Sequence, residues 1–218
     1  MKQHYDILIA TPGRSLEAGY VKSLMETVQE LNNKGISYKW LNSYSSLVHN
    51  ARETTITGDD NLNPNDSGPL HDSVTYGKIL WIDSDITWKP EDFIKLYESE
   101  HDIIAGAYLL HNGETSTIHT NQYPAGIPKD VLSRMRAVSE AEAIGFGFVA
   151  VKSGVFEKIE RPWFGLLPQV IQNSKGQQVV LSLGEDISWC IKAKHYGFSL
   201  YFDPSIKVGH IKSKELSW

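Results

Sequence analysis

The sequence predicts a single α/β domain, 1–218, with a mixed, mainly parallel central sheet flanked by helices. Two observations support this fold class. Short apolar runs bounded by turn residues alternate with amphipathic helical patterns, an order typical of a parallel sheet with covering helices. The chain of 218 residues, 41% of them hydrophobic, is long enough for one well-cored domain and short for two.

Strands and helices alternate regularly through the first half of the chain. The predicted strands, each a short apolar or alternating run, are 5–10, 36–41, 78–82 and 102–110. The predicted helices are one that carries apolar residues at helical spacing from Leu16 to Leu31 and ends at Gly35, one over 45–53, and one that opens at Pro90. Between them, 54–76 is rich in Gly, Asp, Asn and Pro, which predicts a long polar loop or lid.

The second half of the sequence is less regular. An irregular stretch over 111–140 predicts a hairpin and a short helix. An apolar run over 143–151 predicts a strand that contains two glycines, and a helix follows from Ser153. A helix with acids in its first turn begins after Gly184 and stops at Gly197, and two short strands follow over 198–204 and 206–210.

The composition excludes several classes of protein. A net charge of -5 argues against a general nucleic-acid binder, which usually carries a basic surface. The single cysteine, Cys190, fits a reducing compartment. No apolar run approaches the roughly 20 residues of a membrane span. We therefore expect a cytoplasmic protein without a membrane span.

The sequence "ILWIDSDITWKPEDF" places Asp83 and Asp85 directly after a buried strand. Ligands of open α/β sheets bind at the carboxyl ends of the strands. Two carboxylates so close repel each other, and a hard divalent cation removes that repulsion. The alternative is a solvated turn, in which Asp and Ser are favoured anyway.

Three further residues extend this hypothesis. Glu185 and Asp186 begin a predicted helix, and His210 follows a later strand. An imidazole added to carboxylates favours manganese over magnesium, because nitrogen ligands suit transition metals. The alternatives are ordinary capping of the helix by the two acids, and a surface histidine.

Together these motifs carry a resemblance to a known family. The ordered set "ILIATP", "NARE", "ILWIDSDITWKPEDF", "DIIAGAY", "GFGFVAVKSGVFEKI", "GEDISWCIKAKHYGFSLYFDP" and "GH" resembles GT-A-fold (Rossmann-like) glycosyltransferases of the family-2-like and Anp1-like type of bacteria and phages. It covers the chain from Ile7 to His210. The resemblance implies a nucleotide-sugar donor, with a UDP-sugar favoured, an acceptor hydroxyl on a glycan or other molecule, and Mn²⁺ or, as the alternative, Mg²⁺. It also implies a nucleotide-binding half over 1–110 and an acceptor-side half over 111–218.

The resemblance further implies roles for individual residues. The implied metal ligands are Asp85, His210 and Asp83, the last of which would contact the ribose or the metal through water. The implied nucleotide-binding residues are Thr11, Pro12, Asp83, Ser84 and Arg52, which would reach the base or the diphosphate. The implied catalytic base is Asp186, with Glu185 as second choice. The implied residues beside the donor and acceptor sugars are Gly106, Gly145, Phe146 and Gly147.

Two aromatic residues complete the predicted sugar site. Tyr108 would line the donor pocket, and Trp163 would stack on the acceptor sugar; a simple packing role is the alternative for both. The predicted reaction is transfer with inversion, in which a cation stabilises the leaving diphosphate and a base takes the acceptor proton. Retention is the alternative if no base lies on the far side of the anomeric carbon. A carboxylate at a helix N-terminus is held ionised by the helix dipole, which predicts that Asp186 is a weak base.

Two rival functions follow from the same residues. A metal-dependent nucleotidyltransferase also needs an acidic metal site, but its phosphate-binding loop is usually richer in glycine and basic residues than "TPGRS". A non-catalytic carbohydrate-binding protein would keep the fold without turnover.

Overall fold

A seven-stranded mixed sheet crosses the computed structural model, which describes residues 2–58, 68–172 and 175–212. In spatial order its strands are β2 (Tyr38–Ser43), β1 (Gln3–Pro12), β3 (Val74–Ile82), β9 (Phe148–Lys152), β5 (Ile103–Ala107), β12 (Leu200–Lys207) and β7 (Ser139–Ala141). β9 runs antiparallel to both of its neighbours and β7 runs antiparallel to β12. The other strands run in one direction, which confirms the predicted mixed, mainly parallel sheet.

Helices cover both faces of this sheet. They are α1 (Ala18–Lys34), α2 (Val48–Thr57), α3 (Pro90–Glu98), α4 (Lys129–Arg134), α5 (Val155–Lys158) and α6 (Glu185–His195). Alternate residues of a strand point to opposite faces. Ile7 of β1 packs in one core with residues of α1 and α3, while Leu8 packs in a second core with residues of α2, α5 and α6.

Three small ribbons lie outside the main sheet. β4 (Ile86–Thr87) pairs with β13 (Gly209–His210), and β6 (Ile118–His119) pairs with β8 (Ala143–Ile144). The third is an antiparallel pair, β10 (Pro168–Gln172) and β11 (Gln178–Ser182), which no sequence pattern predicted. Within the described ranges, no helix is long and apolar enough to cross a membrane.

The predicted loop over 54–76 is wrong at both ends. α2 continues through Thr57, and β3 already begins at Val74. The threonines of α2 are buried, and their hydroxyls donate to carbonyls one turn earlier, as Thr55 does to the Ala51 oxygen at 2.6 Å. Their polarity therefore does not prevent burial. Residues 59–67 of the predicted loop lie outside the described residues.

The buried face of α1 also differs from the predicted apolar stripe. Val21 and Met25 are exposed, whereas Ser23 and Thr27 are buried. Ser23 Oγ accepts a hydrogen bond from the Trp88 backbone N–H at 3.0 Å, and Thr27 Oγ1 accepts one from Trp88 Nε1 at 2.8 Å. The buried tryptophan needs acceptors, so two polar residues face it.

The predicted strand over 143–151 is two strands, β8 and β9, separated by the segment 145–147. This segment wraps around the ring of Tyr108. A Cβ atom at Gly145 would lie 2.6 Å from Tyr108 Oη, and one at Gly147 would lie 2.7 Å from Tyr108 Cζ. The Gly147 N–H donates to Tyr108 Oη at 2.9 Å. The two glycines therefore allow a close approach to the buried phenol, and the strand breaks there.

Candidate functional site

The candidate site lies where parallel strands end at one edge of the sheet. Pro12, the last residue of β1, lies beside Ser43, the last residue of β2, and β3 ends next to them at Ile82. The turn that follows β3 is fixed by backbone hydrogen bonds. The Asp83 N–H donates to the Gly147 oxygen at 3.1 Å, and the Ser84 oxygen accepts from the Glu17 N–H at 3.0 Å.

The side chain of Arg52 binds two of the predicted acids, Asp83 and Glu185. Its Nη1 lies 2.9 Å from Asp83 Oδ1, its Nη2 lies 3.3 Å from Asp83 Oδ2, and its Nε lies 3.2 Å from Glu185 Oε1. The guanidinium is buried, with 4% of the side chain exposed. The aromatic rings of Trp81 and Phe146 lie 5.8 and 5.6 Å from it, within cation–π range.

The two acids keep this buried cation charged. Burial alone would lower the pKa of Arg52, but the charges of Asp83 and Glu185 outweigh burial and raise the pKa above its usual value. The expected contact between Arg52 and a base or diphosphate is therefore corrected. Both oxygens of Asp83 and one of Glu185 already accept from its nitrogens, and its side chain is almost wholly enclosed.

Asp85 has a different set of partners, which come from the segment after β12. Its Oδ2 lies 3.2 Å from His210 Nε2 and 2.8 Å from Lys212 Nζ. Burial would raise the pKa of Asp85, but the hydrogen bonds from His210 and Lys212 outweigh burial and lower the pKa to about 2. The carboxylate is thus ionised at neutral pH and lies directly beside an imidazole.

His210 is oriented as metal-binding histidines usually are. Its Nδ1 lies 2.7 Å from the Leu109 carbonyl oxygen, and its ring makes an edge contact with Tyr108 at 5.0 Å between centroids. A histidine that donates from Nδ1 to a carbonyl presents the Nε2 lone pair to a metal in its neutral form. Here Nε2 points at Asp85 Oδ2, an acceptor, so Nε2 donates a proton to that carboxylate and would have to release it before a metal could bind.

These contacts divide the predicted metal ligands. Asp85 and His210 lie together and offer one carboxylate and one imidazole, a donor set that suits Mn²⁺. Asp83 is held separately by Arg52, which donates one hydrogen bond to each of its oxygens and leaves their other lone pairs free. Residues 2–58, 68–172 and 175–212 contain no group of three His, Cys, Asp or Glu that could hold a metal ion. The predicted set of three is thus corrected to a pair, which fits an ion whose remaining ligands are phosphate oxygens and water.

Asp186 lies in the first turn of α6, next to the Arg52 network. Its Oδ1 accepts from the Ile187 N–H at 2.8 Å. Burial and the neighbouring negative charge of Glu185 raise the pKa of Asp186 above its ordinary value. This corrects the expectation of a weak base: the buried surroundings outweigh the helix N-terminus, and the carboxylate is a better proton acceptor than an exposed aspartate.

Several predicted sugar-site residues are core residues instead. Trp163 is fully buried, and its Nε1 donates to the Phe156 and Ile159 carbonyls at 2.9 and 3.1 Å, so it does not present a ring for stacking. Phe146 is also fully buried. Gly106 packs inside β5, where an added Cβ would lie 2.5 Å from Ile206 Cγ2. Because these three residues are packed inside the protein, the predicted contacts between them and a sugar are corrected to packing roles.

The remaining predicted residues lie at the edge of the sheet. Thr11 is buried, with its hydroxyl hydrogen-bonded to Tyr20 Oη and to Trp40 Nε1. Pro12 follows it at the end of β1, and Ser84 lies in the turn between the two aspartates. The structure brings both close to the acids, and their contact with a nucleotide stays a prediction.

Sequence reasoning missed Lys212. The ammonium group lies closer to Asp85 than the predicted histidine does. The signal was present in "GHIK", because residues two apart share one face of an extended chain. His210 and Lys212 therefore reach the same carboxylate.

Comparisons with known proteins show the fold. A197 from STIV is similar at 18% identity and a TM-score of 0.55, over 97% of this chain and 96% of that one. The catalytic domain of Drosophila β1,4-galactosyltransferase 7, in complex with xylobiose, is similar at 11% identity and a TM-score of 0.51, over 97% and 71%. GalNAc-T7 with UDP, GalNAc and Mn²⁺ is similar at 10% identity and a TM-score of 0.51, over 98% and 44%.

No family model matches the sequence, and no curated protein matches it. The likeness to the solved structures is therefore one of architecture. This chain has the α/β fold, with a seven-stranded mixed sheet flanked by helices, that is found in GT-A glycosyltransferase structures.

Proposed function

We propose that this chain is a metal-dependent glycosyltransferase that moves a sugar from a nucleotide-sugar donor, with a UDP-sugar favoured, to an acceptor hydroxyl with inversion. The observation that carries the proposal is the contact between Asp85 and His210. These residues are far apart in the sequence, yet they meet with Oδ2 and Nε2 3.2 Å apart at the edge where α/β sheets bind ligands.

The fold comparisons support this function in coarse form. Of the similar structures, GalNAc-T7 holds UDP, GalNAc and Mn²⁺, and the galactosyltransferase holds xylobiose. Both are glycosyltransferases, so the shared fold favours sugar transfer over the nucleotidyltransferase and the non-catalytic alternatives. A UDP-sugar donor and Mn²⁺, with Mg²⁺ as the alternative ion, are part of the proposal for this chain.

Asp85 and His210 would hold the divalent cation. When bound, the cation supplies Lewis-acid stabilisation of the negative charge that develops on the departing diphosphate. Asp83 remains 28% exposed although Arg52 holds it from beneath. A carboxylate has about four lone-pair sites and Arg52 uses two, so Asp83 can still accept from a ribose hydroxyl. Thr11, Pro12 and Ser84 would border the same nucleotide.

Asp186 would act as the base. An acceptor hydroxyl is a weak nucleophile and needs a proton acceptor within hydrogen-bond reach. Burial and the charge of Glu185 raise the pKa of Asp186, which makes this carboxylate a stronger proton acceptor than an exposed aspartate. Glu185 is less suited, because its Oε1 already accepts from Arg52.

Metal binding tests this proposal directly. We expect Asp85→Asn and His210→Ala each to weaken Mn²⁺ binding at least ~10-fold in the presence of UDP, because each removes one of two protein ligands. Calorimetric titration of Mn²⁺ measures the affinity, and release of UDP from a UDP-sugar measures turnover. Asp130→Asn and His195→Ala, on exposed helix positions, are the matched controls.

Unchanged Mn²⁺ affinity in both site variants contradicts the proposed metal pair. Consumption of a nucleoside triphosphate with release of pyrophosphate indicates a nucleotidyltransferase instead. Sugar binding without turnover, unaffected by Asp85→Asn, indicates a carbohydrate-binding protein.

A further inference from the structure

The segment after β12 contacts Asp85 through three consecutive residues. His210 pairs with Ile86 in the β4–β13 ribbon, and the Ile211 N–H donates to the Asp85 backbone oxygen at 2.8 Å. His210 Nε2 and Lys212 Nζ then meet one and the same carboxylate atom, Asp85 Oδ2, at 3.2 and 2.8 Å. The proposed metal ligand is therefore held by a cation of the chain itself.

Lys212 and a metal ion exclude each other at this oxygen. A carboxylate oxygen has two lone pairs, and here both face nitrogen atoms. A divalent cation that binds Oδ2 at about 2.0–2.2 Å needs one of them. His210 can remain once its Nε2 has released to solvent the proton that it donates to Asp85, because the neutral imidazole then has its own lone pair for the metal. The ammonium group has three donors and no lone pair, so it must leave Oδ2.

Lys212 is free to make that exchange. Its side chain is 47% exposed, in contrast to the enclosed Arg52 on Asp83. The aliphatic stem of lysine is long and flexible, and the ammonium group acts as a point charge without a required geometry. A metal that arrives with a nucleotide brings a diphosphate, whose negative charge exceeds that of one carboxylate.

We propose that Lys212 is an exchangeable counter-ion, which neutralises Asp85 in the metal-free protein and, once a divalent cation takes that oxygen, pairs with the diphosphate of the bound nucleotide. This inference rests on the proposed function, since it requires the Asp85–His210 pair to bind a metal. According to this inference, Lys212 weakens the binding of the metal ion and strengthens the binding of the nucleotide.

Two affinities of Lys212→Met test the exchange. Calorimetry with Mn²⁺ alone is expected to show affinity raised about two- to fivefold, because the competing ion pair, worth little at a surface, is gone. Titration of UDP at saturating Mn²⁺ is expected to show affinity lowered about three- to tenfold, because a charge-assisted contact to phosphate is lost. Lys212→Arg keeps the charge and is expected to restore UDP affinity. Lys207→Met, at an exposed position of β12, is the control for both.

Opposite changes in the two affinities support the exchange, because a residue that only stabilises the fold would not raise Mn²⁺ affinity. Mn²⁺ affinity that is unchanged or lowered in Lys212→Met overturns it. If the wild type binds Mn²⁺ and UDP, and Lys212→Met binds both with the same affinities, this inference is overturned but the proposed function is not. Wild-type protein that binds neither overturns both.

Discussion

The two aspartates that follow β3 are neutralised in opposite ways. Asp83 receives a two-pronged contact from Arg52, which is buried among aromatic rings and also holds Glu185. Asp85, two residues later, receives a half-exposed ammonium from Lys212 and an imidazole from His210. One pair is fixed by the core, whereas the other lies at the surface of the site.

The two aspartates therefore have different roles although they are only two positions apart in the sequence. A buried guanidinium cannot leave its partners without stranding charges in a low-dielectric interior. A half-exposed ammonium can be replaced at little cost, because exposed ion pairs contribute little. Asp83 is therefore fixed in place between β3, α2 and α6, while Asp85 is the acid whose cationic partner is the more easily replaced. The predictions below test this division.

The largest effect is expected for Arg52→Met. Removing one partner of a buried ion pair destabilises a protein by about 3–5 kcal/mol, and the partial exposure of Asp83 favours the lower end of that range. Denaturant unfolding followed by far-UV circular dichroism measures the loss. Arg134→Met removes an arginine that is paired with Asp130 on an exposed helix, and we expect it to change stability by no more than about 0.5 kcal/mol. If both variants lose the same free energy of unfolding, the buried Arg52 pair is no more important for stability than an exposed pair.

A smaller effect, on the transfer rate alone, is expected for Asp186, which lies next to the Arg52 network. Asp186→Asn should retain UDP affinity and lower the transfer rate by about 10²-fold, because general-base catalysis typically contributes at least that much. In the wild type, activity should fall on acidification at a higher pH than the ordinary aspartate pKa predicts, since the pKa of Asp186 is raised.

Glu185→Gln provides the control for this assignment. It removes a negative charge beside Asp186, so it should lower the pKa of Asp186 and move the acid limb of the rate profile to lower pH. Glu140→Gln, at an exposed position, should leave the limb in place. Normal transfer by Asp186→Asn excludes Asp186 as the base.

The smallest effect is expected for the stability of Lys212→Met. An exposed ion pair contributes about 0.2–1 kcal/mol, so the free energy of unfolding should change by less than about 1 kcal/mol at low salt. In 1 M NaCl, where the Debye length is about 3 Å, the difference should disappear. A loss as large as that of Arg52→Met would mean that both aspartates belong to the core.

The sequence predicted this site where local pattern and position coincide. The apolar run before Asp83 identified an inner strand, and a parallel sheet sends its strand ends to one edge. The structure places His210 beside Asp85, although only the order of motifs along the chain linked the two residues, and their role as metal ligands stays a prediction. The sheet class followed from the alternation of strands and helices.

The sequence pattern gave wrong predictions for polar side chains that are buried in the core with hydrogen-bond partners. Ser23 and Thr27 are buried because Trp88 donates to both, a pairing that no local periodicity contains. Arg52 looked like a ligand-binding residue, yet it lies inside because two acids from distant segments surround it. Trp163 looked like a sugar platform, and its Nε1 is instead satisfied by two carbonyls. Each outcome depends on partners far away in the sequence.

The β4–β13 ribbon has a consequence for the timing of biosynthesis. Translation supplies the chain from its N-terminus, and folding during synthesis can use only the residues already made. A nascent polypeptide translated only as far as β12 already contains Asp83, Asp85 and Asp186, but it lacks the histidine of β13 that meets Asp85. The growing protein therefore cannot bring an imidazole to Asp85 until translation has passed His210, so the proposed ion site is complete only when nearly all of the described fold has been synthesised.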